Sequence, residues 1–89
     1  MTEPEDTLLE FPCDFPVKAF GNDTGDFEAV VVALVREHAP GVVIETVHSR
    51  SSRAGTYRSV TVNVRAYNRG QLDAIYHALT ADTRVLMAL

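Results

Sequence analysis

The sequence predicts an α+β fold in which two helices cover one face of a four-stranded antiparallel sheet. Three stretches predict it: a run of alternating valines in the middle of the chain, and two amphipathic segments that begin with helix-capping residues. Apolar residues at every second position are typical of a strand with one buried face, and a spacing of three and four is typical of a helix. A chain of 89 residues has room for one such domain and is too short for two.

The first strand is predicted at residues 15–21, FPVKAFG, which Gly21 ends. Successive side chains of a strand point to opposite faces, so Lys18 and Phe20 lie on the face away from the helices. The expected helix-facing set is Phe15, Val17 and Ala19.

The segment NDTG then predicts the start of the first helix, with Asp23 or Thr24 as the capping residue. Asp26 and Glu28 favour the positive end of the helix dipole. The apolar stripe expected to pack on the sheet is Phe27, Val30, Val31, Leu34 and Val35. HAPG ends this helix, because a proline disfavours helical backbone at the residue before it.

Two strands follow, VVIETVHSRS and TYRSVTVNVRA, and the loop between them contains Gly55, which favours a chain reversal. The second of these strands alternates without a break. Its buried set is predicted to be Val60, Val62, Val64 and Ala66, and its opposite face Ser59, Thr61, Asn63 and Arg65.

The second helix is predicted to start at Asn68, with Gln71 completing a capping box. Its apolar stripe is Leu72, Ile75, Tyr76 and Leu79. The chain closes with a short strand in RVLMAL, whose alternation predicts Val85, Met87 and Leu89 as the buried set and Leu86 on the open face.

The resulting order, β-α-β-β-α-β, is that of the ferredoxin-like architecture, in which right-handed crossovers place both helices on one face. The organisation expected along the chain is a flexible acidic tail at residues 1–7 and a single domain at residues 8–89. The open face of the sheet then carries Lys18, Phe20, Thr61, Asn63 and Arg65.

Composition and charge limit the functional classes to which the protein can belong. The net charge is −4, and no apolar run is long enough to cross a membrane, so we expect a cytoplasmic protein without a membrane partner. RNA-recognition domains share the predicted element order, yet they place stacking aromatics on the third strand, where this chain has Thr61, Asn63 and Arg65. RNA binding is therefore the less favoured of the binding hypotheses.

Two stretches are candidates for binding. The turn Gly21, Asn22, Asp23, Thr24 and Gly25 precedes a helix start, where backbone N–H groups can receive an anionic small molecule; helix capping alone also explains it. The second is a basic hairpin, which a partner protein can contact or which is only a solvated tip. Its arginines are Arg50, Arg53, Arg58 and Arg65.

Catalytic and metal chemistry has little support in the sequence. The three histidines, His38, His48 and His77, lie far apart and lack the spacing of a zinc site. Cys13, the single cysteine, stands beside Asp14, and a negative neighbour does not activate a thiol. We therefore expect no metal, no cofactor and no enzymatic activity.

Five motifs in order, LLEFPCDFPVKAFG, HAPG, GTYRSVTVNVRA, QLDAIYHAL and VLMAL, span the chain from Leu8. In this pattern the chain resembles the YbeD-like family of small bacterial cytoplasmic proteins of unknown function. The resemblance implies a ferredoxin-like fold similar to ACT regulatory domains, and a regulatory role with a link to lipoate biosynthesis. It also implies that the Gly21–Gly25 turn lies where ACT domains bind amino acids.

The leading hypothesis is a non-catalytic regulatory or adaptor domain that forms a homodimer or binds a partner protein through a sheet edge. In such a dimer the arginine-rich hairpin of one copy can face the acidic N-terminal segment of the other. The alternative is a domain that senses an amino acid or another anion at the Gly21–Gly25 turn.

Overall fold

A computed structural model describes residues 9–89 and shows the predicted β-α-β-β-α-β order. The acidic tail expected at residues 1–7 lies outside these residues, so the division into tail and domain stays a prediction. The strand order across the sheet is β2-β3-β1-β4, which makes β2 and β4 the two edges. The elements are β1 (Cys13–Asn22), α1 (Phe27–His38), β2 (Val43–Ser51), β3 (Tyr57–Ala66), α2 (Arg69–Ala81) and β4 (Val85–Ala88).

The core lies between the two helices and one face of the central strands β1 and β3. The predicted alternation of β3 is confirmed, since all four residues of its apolar set are fully buried. Each fully buried aliphatic side chain contributes about 1.5–3 kcal/mol through removal from water. The helix residues buried against the sheet are Phe27, Val31 and Val35 of α1, and Leu72, Ile75, Ala78 and Leu79 of α2.

The start of α2 is the one the capping box predicts. Asn68 Oδ1 accepts a hydrogen bond from the Gln71 N–H at 3.0 Å. Gln71 Oε1 in turn accepts one from the backbone N–H of Tyr67 at 2.6 Å. Two donors near the helix end are therefore satisfied by side chains.

The start of α1 differs from the prediction of Asp23 or Thr24 as the cap. The helix begins later, at Phe27, with Asp26 at the N-cap position and no side-chain capping bond. The Thr24 hydroxyl instead donates to Asp26 Oδ1 at 2.7 Å. Asp23 is bound by an arginine from a distant strand, as described below.

The predicted buried set of β4 is wrong in two of its three residues. Ala88 pairs with Ala19 and Met87 with Phe20, but Val85 pairs with Gly21, so Leu86 is an additional residue in a β-bulge. A bulge shifts the alternation by one position. Val85 is buried as predicted, whereas Met87 and Leu89 are 55% and 61% exposed.

Pro16 lies within β1, beside the central strand β3, although proline is rare inside sheets. The backbone groups of residues two apart in a strand point to the same side. Lys18, two residues after Pro16, bonds Leu89 on the β4 side through both its N–H and its C=O. The position of the missing Pro16 N–H is therefore on the same side, two residues before the Lys18–Leu89 pair. The proline breaks no bond of the β1–β3 ladder.

Candidate functional site

The first candidate site, the turn between β1 and α1, is shaped by two glycines with different roles. A Cβ atom at Gly21 would lie 2.6 Å from the Arg84 carbonyl oxygen and would overlap the ring of Phe27. Gly25 has a φ of +88°, a left-handed conformation that side chains rarely adopt. Gly21 thus allows β1 to pack closely against Phe27 and the Arg84 backbone, and Gly25 allows the bend into α1.

Asp23 ties this turn to the basic hairpin between β2 and β3. Its carboxylate accepts hydrogen bonds from Arg58 Nε at 3.1 Å and Nη2 at 3.2 Å, and from the Ser51 hydroxyl at 3.1 Å. Its backbone N–H donates to the Thr56 carbonyl at 2.9 Å. Arg58 Nη1 also donates to the Ser49 hydroxyl at 2.8 Å. The two stretches that the sequence identifies separately as binding candidates are therefore joined.

The bonds from Arg58 hold the pKa of Asp23 below its usual value, and Ser51 and the Gly25 backbone N–H act in the same direction. A similar arrangement lies after α2, where hydrogen bonds from Arg84 lower the pKa of Asp82 to about 2. A carboxylate with a depressed pKa favours the folded state while it is ionised.

The lowered pKa values of Asp23 and Asp82 predict that the stability of the fold depends on pH. The contribution of both carboxylates is complete above the unfolded-state pKa of about 3.9 and is lost as the pH falls through the lowered pKa of each, which for Asp82 is about 2. The double variant Asp23→Asn/Asp82→Asn should therefore show a shallower fall of the urea midpoint between pH 5 and pH 2, about the window of these titrations.

The control is Asp73→Asn, which removes the carboxylate of an exposed i,i+4 ion pair with Arg69. Parallel midpoint curves for the wild type and the double variant would contradict the assignment of the acid sensitivity to these two carboxylates.

The four arginines predicted to contact a partner protein fall into two groups, those with and those without an ion pair among residues 9–89. Arg58 is engaged by Asp23, and Arg65 Nη1 lies 3.1 Å from Asp14 Oδ1 on the paired strand. Arg50 and Arg53 are exposed and have no ion-pair partner among residues 9–89. Two of the four guanidinium groups are thus already occupied within the chain.

A cavity of about 380 Å³ lies beside the β1–α1 turn, at the start of α1. Side chains from the turn and from the α2–β4 loop line it, including Asn22, Thr24, Asp26 and Arg84. This cavity is the space in which a small molecule bound at the turn would lie.

The open face of the sheet brings together a group of residues whose proximity the sequence does not indicate. The strand register places His48 and Arg50 of β2 across the sheet from Lys18 and Phe20 of β1. Their alternation in β2 is visible in the sequence, but their alignment with β1 depends on the pairing of both strands with β3.

The histidines remain apart, at the end of α1, in β2 and in α2. Within residues 9–89 no group of three or more His, Cys, Asp or Glu side chains has an arrangement that can hold a metal ion. In the same residues no helix is long and apolar enough to cross a membrane.

Two solved structures share this fold. The solution structure of protein HP0495 from H. pylori superposes with a TM-score of 0.72 at 13% identity, covering 100% of this chain and 97% of that one. The ACT domain from GTP pyrophosphokinase of Chlorobium tepidum gives a TM-score of 0.67 at 13% identity, over 85% of this chain and 84% of the other. The ferredoxin-like, ACT-like fold predicted from the sequence is confirmed.

Sequence relatives cover the whole chain. UPF0250 proteins from Paraburkholderia phymatum and Neisseria gonorrhoeae are 42% and 43% identical over 89 and 91 aligned residues, covering 100% of both chains. One from Nitrosomonas europaea is 41% identical over 96% of this chain and 98% of its own length. The family model described as "Protein of unknown function (DUF493)" matches residues 6–89. The chain therefore belongs to the DUF493 (UPF0250) family of small bacterial proteins.

Proposed function

We propose that the protein is a non-catalytic regulatory or adaptor domain of the cytoplasm that acts through self-association and through a protein partner. The observation that carries this proposal is the apolar β4 edge, formed by Leu86, Met87 and Leu89. These side chains are 58%, 55% and 61% exposed, and they follow one another along an unpaired edge of the sheet.

An edge strand presents free N–H and C=O groups on which another strand can pair. Edge strands that do not pair with another chain are commonly protected by charged side chains. The β2 edge fits that description, since Glu45, His48 and Arg50 are exposed along it. The β4 edge has three apolar side chains instead, so it is the edge suited to a second copy.

A twofold axis beside β4 would place the two β4 edges antiparallel and bring the same apolar side chains together. Such a self-complementary contact is the commonest form of a homodimer. The β2–β3 hairpin lies toward the opposite edge of the sheet, so Arg50 and Arg53, the two of these arginines without an ion pair among residues 9–89, stay available to a partner protein in such a dimer.

The test is the molecular mass in solution. We expect the wild type to have twice the chain mass of 9.8 kDa in light scattering at micromolar concentration. The variant Leu86→Glu/Met87→Glu should have the mass of one chain, because paired like charges at the twofold axis repel each other.

The matched control is Val43→Glu/Tyr67→Glu, which places two charges at exposed apolar positions away from β4. This control should remain dimeric. A wild type with the mass of one chain, or dissociation by the control alone, would contradict the proposed β4 interface.

The non-catalytic part of the proposal is supported by the placement of the ionisable groups. The described carboxylates with depressed pKa values, Asp23 and Asp82, are each engaged by an arginine in a structural ion pair. The resemblance to the YbeD-like family, and that alone, adds lipoate metabolism as the proposed pathway.

A second candidate function is the sensing of an amino acid or another anion at the Gly21–Gly25 turn. The cavity of about 380 Å³ beside the turn favours it, as does the likeness in fold to an ACT domain. A thermal-shift panel of amino acids tests it, because a ligand at 100 times its Kd stabilises the folded state by about 2.7 kcal/mol. No shift with any amino acid would remove the amino-acid form of this candidate.

A further inference from the structure

Two rows of side chains cross the open face of the sheet and form a trough. In the first row Lys18 of β1 and His48 of β2 flank Thr61 of β3. In the second row Phe20 and Arg50 flank Ser59 in the same way. Adjacent strands are about 4.8 Å apart, so the long side chains stand about 10 Å from each other across two short hydroxyl residues.

The trough is large enough for a small molecule. These six residues, together with Ser49, line an open depression of about 470 Å³, which lies within the range of about 300–1,000 Å³ typical of ligand sites. Its lining has long basic side chains at both sides and two hydroxyl groups on the floor. A molecule lying in it would be contacted from three strands at once.

The charge of the trough is positive and uncompensated. Lys18 and Arg50 have no ion-pair partner among residues 9–89, and no acidic residue lines the depression. The chain as a whole has a net charge of −4, so the basic groups are concentrated locally. An ammonium, a guanidinium and two hydroxyls are the donors that bind a phosphate group.

The positive charge extends over only two rows. In the next row Asn63 donates its side-chain N–H to Thr46 Oγ1 at 2.8 Å, and in the following row Arg65 is neutralised by Asp14. Residues of successive rows are about 7 Å apart along a strand, so the uncompensated charge suits one phosphate group and not an extended polyanion.

The end of the trough at Phe20, next to β4, is apolar. Phe20 is half-buried, and the β4 register places Met87 directly beside it on the same face. An aromatic ring and a thioether make a surface on which a flat or apolar group can pack.

We propose that this trough binds a small molecule that carries one phosphate group and an aromatic part, of the nucleoside monophosphate class. Lys18, His48 and Arg50 would contact the phosphate, and the hydroxyls of Ser59 and Thr61 would donate to it. Phe20 would pack against the aromatic part. The site is separate from the β1–α1 turn and borders the β4 edge at Met87.

The experiment is an NMR titration of the ¹⁵N-labelled full chain with adenosine monophosphate and, separately, with inorganic phosphate and with an eight-nucleotide RNA. We expect chemical-shift changes at Phe20, Ser59 and Thr61, and binding of the nucleotide about tenfold tighter than that of phosphate. The variant Lys18→Ala/Arg50→Ala should weaken nucleotide binding at least about tenfold. Phe20→Leu should reduce the affinity for the nucleotide and leave that for phosphate unchanged.

The matched control is Arg36→Ala/Arg53→Ala, which removes two exposed cations outside the trough and should leave both affinities unchanged. The amide spectrum of each variant shows whether the fold is kept, and the Phe20→Leu comparison retains both cations. Four results would overturn the proposal: no shifts at about 10 mM nucleotide, shifts confined to residues 23–25, equal affinity for nucleotide and phosphate, or tighter binding of an eight-nucleotide RNA.

Discussion

Replacing Phe27 with alanine should lower the free energy of unfolding by about 3–5 kcal/mol. Phe27 is 2% exposed and opens α1, where its ring packs over Gly21 at the end of β1. The loss combines the transfer of the ring into water with the cavity left between helix and sheet. A domain of this size has a total stability of about 5–15 kcal/mol, so this one change should remove a large share of it.

Urea denaturation at pH 7 measures the effect, and Val30→Ala on the same helix is the control. Val30 is only half-buried, so its truncation should cost about 1 kcal/mol. If the two variants lose equal stability, Phe27 does not have the central place in the core that its burial indicates.

Replacing Gly21 with alanine should cost about 1–3 kcal/mol, although the change adds one methyl group. The new Cβ would overlap the Phe27 ring and lie 2.6 Å from the Arg84 carbonyl oxygen, and the latter is backbone that cannot rotate away. Gly70→Ala is the control, since its Cβ would meet nothing closer than Asn68 Oδ1 at 3.3 Å. We expect that control within about 1 kcal/mol of the wild type.

A double-mutant cycle with Phe27→Leu separates the two contacts. The shorter leucine removes the outer ring atoms, so Gly21→Ala should cost less in that background, with a coupling above about 0.5 kcal/mol. Part of the cost should remain because the Arg84 carbonyl is unchanged. Strict additivity would show that the ring contact is not the source of the strain.

The parts of the fold that the sequence predicts correctly are those coded by near neighbours. The β3 alternation and the Asn68–Gln71 capping box each depend on residues only two to four positions apart. The predicted face of β4 failed because its bulge is set by the partner strand β1, which is more than sixty positions away.

The candidate site shows the same limit. The sequence identifies Asp23 and Arg58 as members of two different stretches, and only the fold joins them, across 35 positions. Asp23 therefore has a role in tertiary structure that outweighs its local tendency to cap a helix. The trough needs the alignment of three strands, including the irregularity between Ile44 and Thr46 of β2, which no local pattern indicates.

Pro16 has a consequence for how the sheet can grow. On the β4 side of β1, Pro16 lacks the amide hydrogen that a neighbouring strand needs for continuous pairing. A strand that paired with β1 on this side would therefore meet a gap in its hydrogen-bond ladder at Pro16. Pro16 therefore disfavours the extension of a pairing strand along β1, which is compatible with the proposed association at the outer edge of β4.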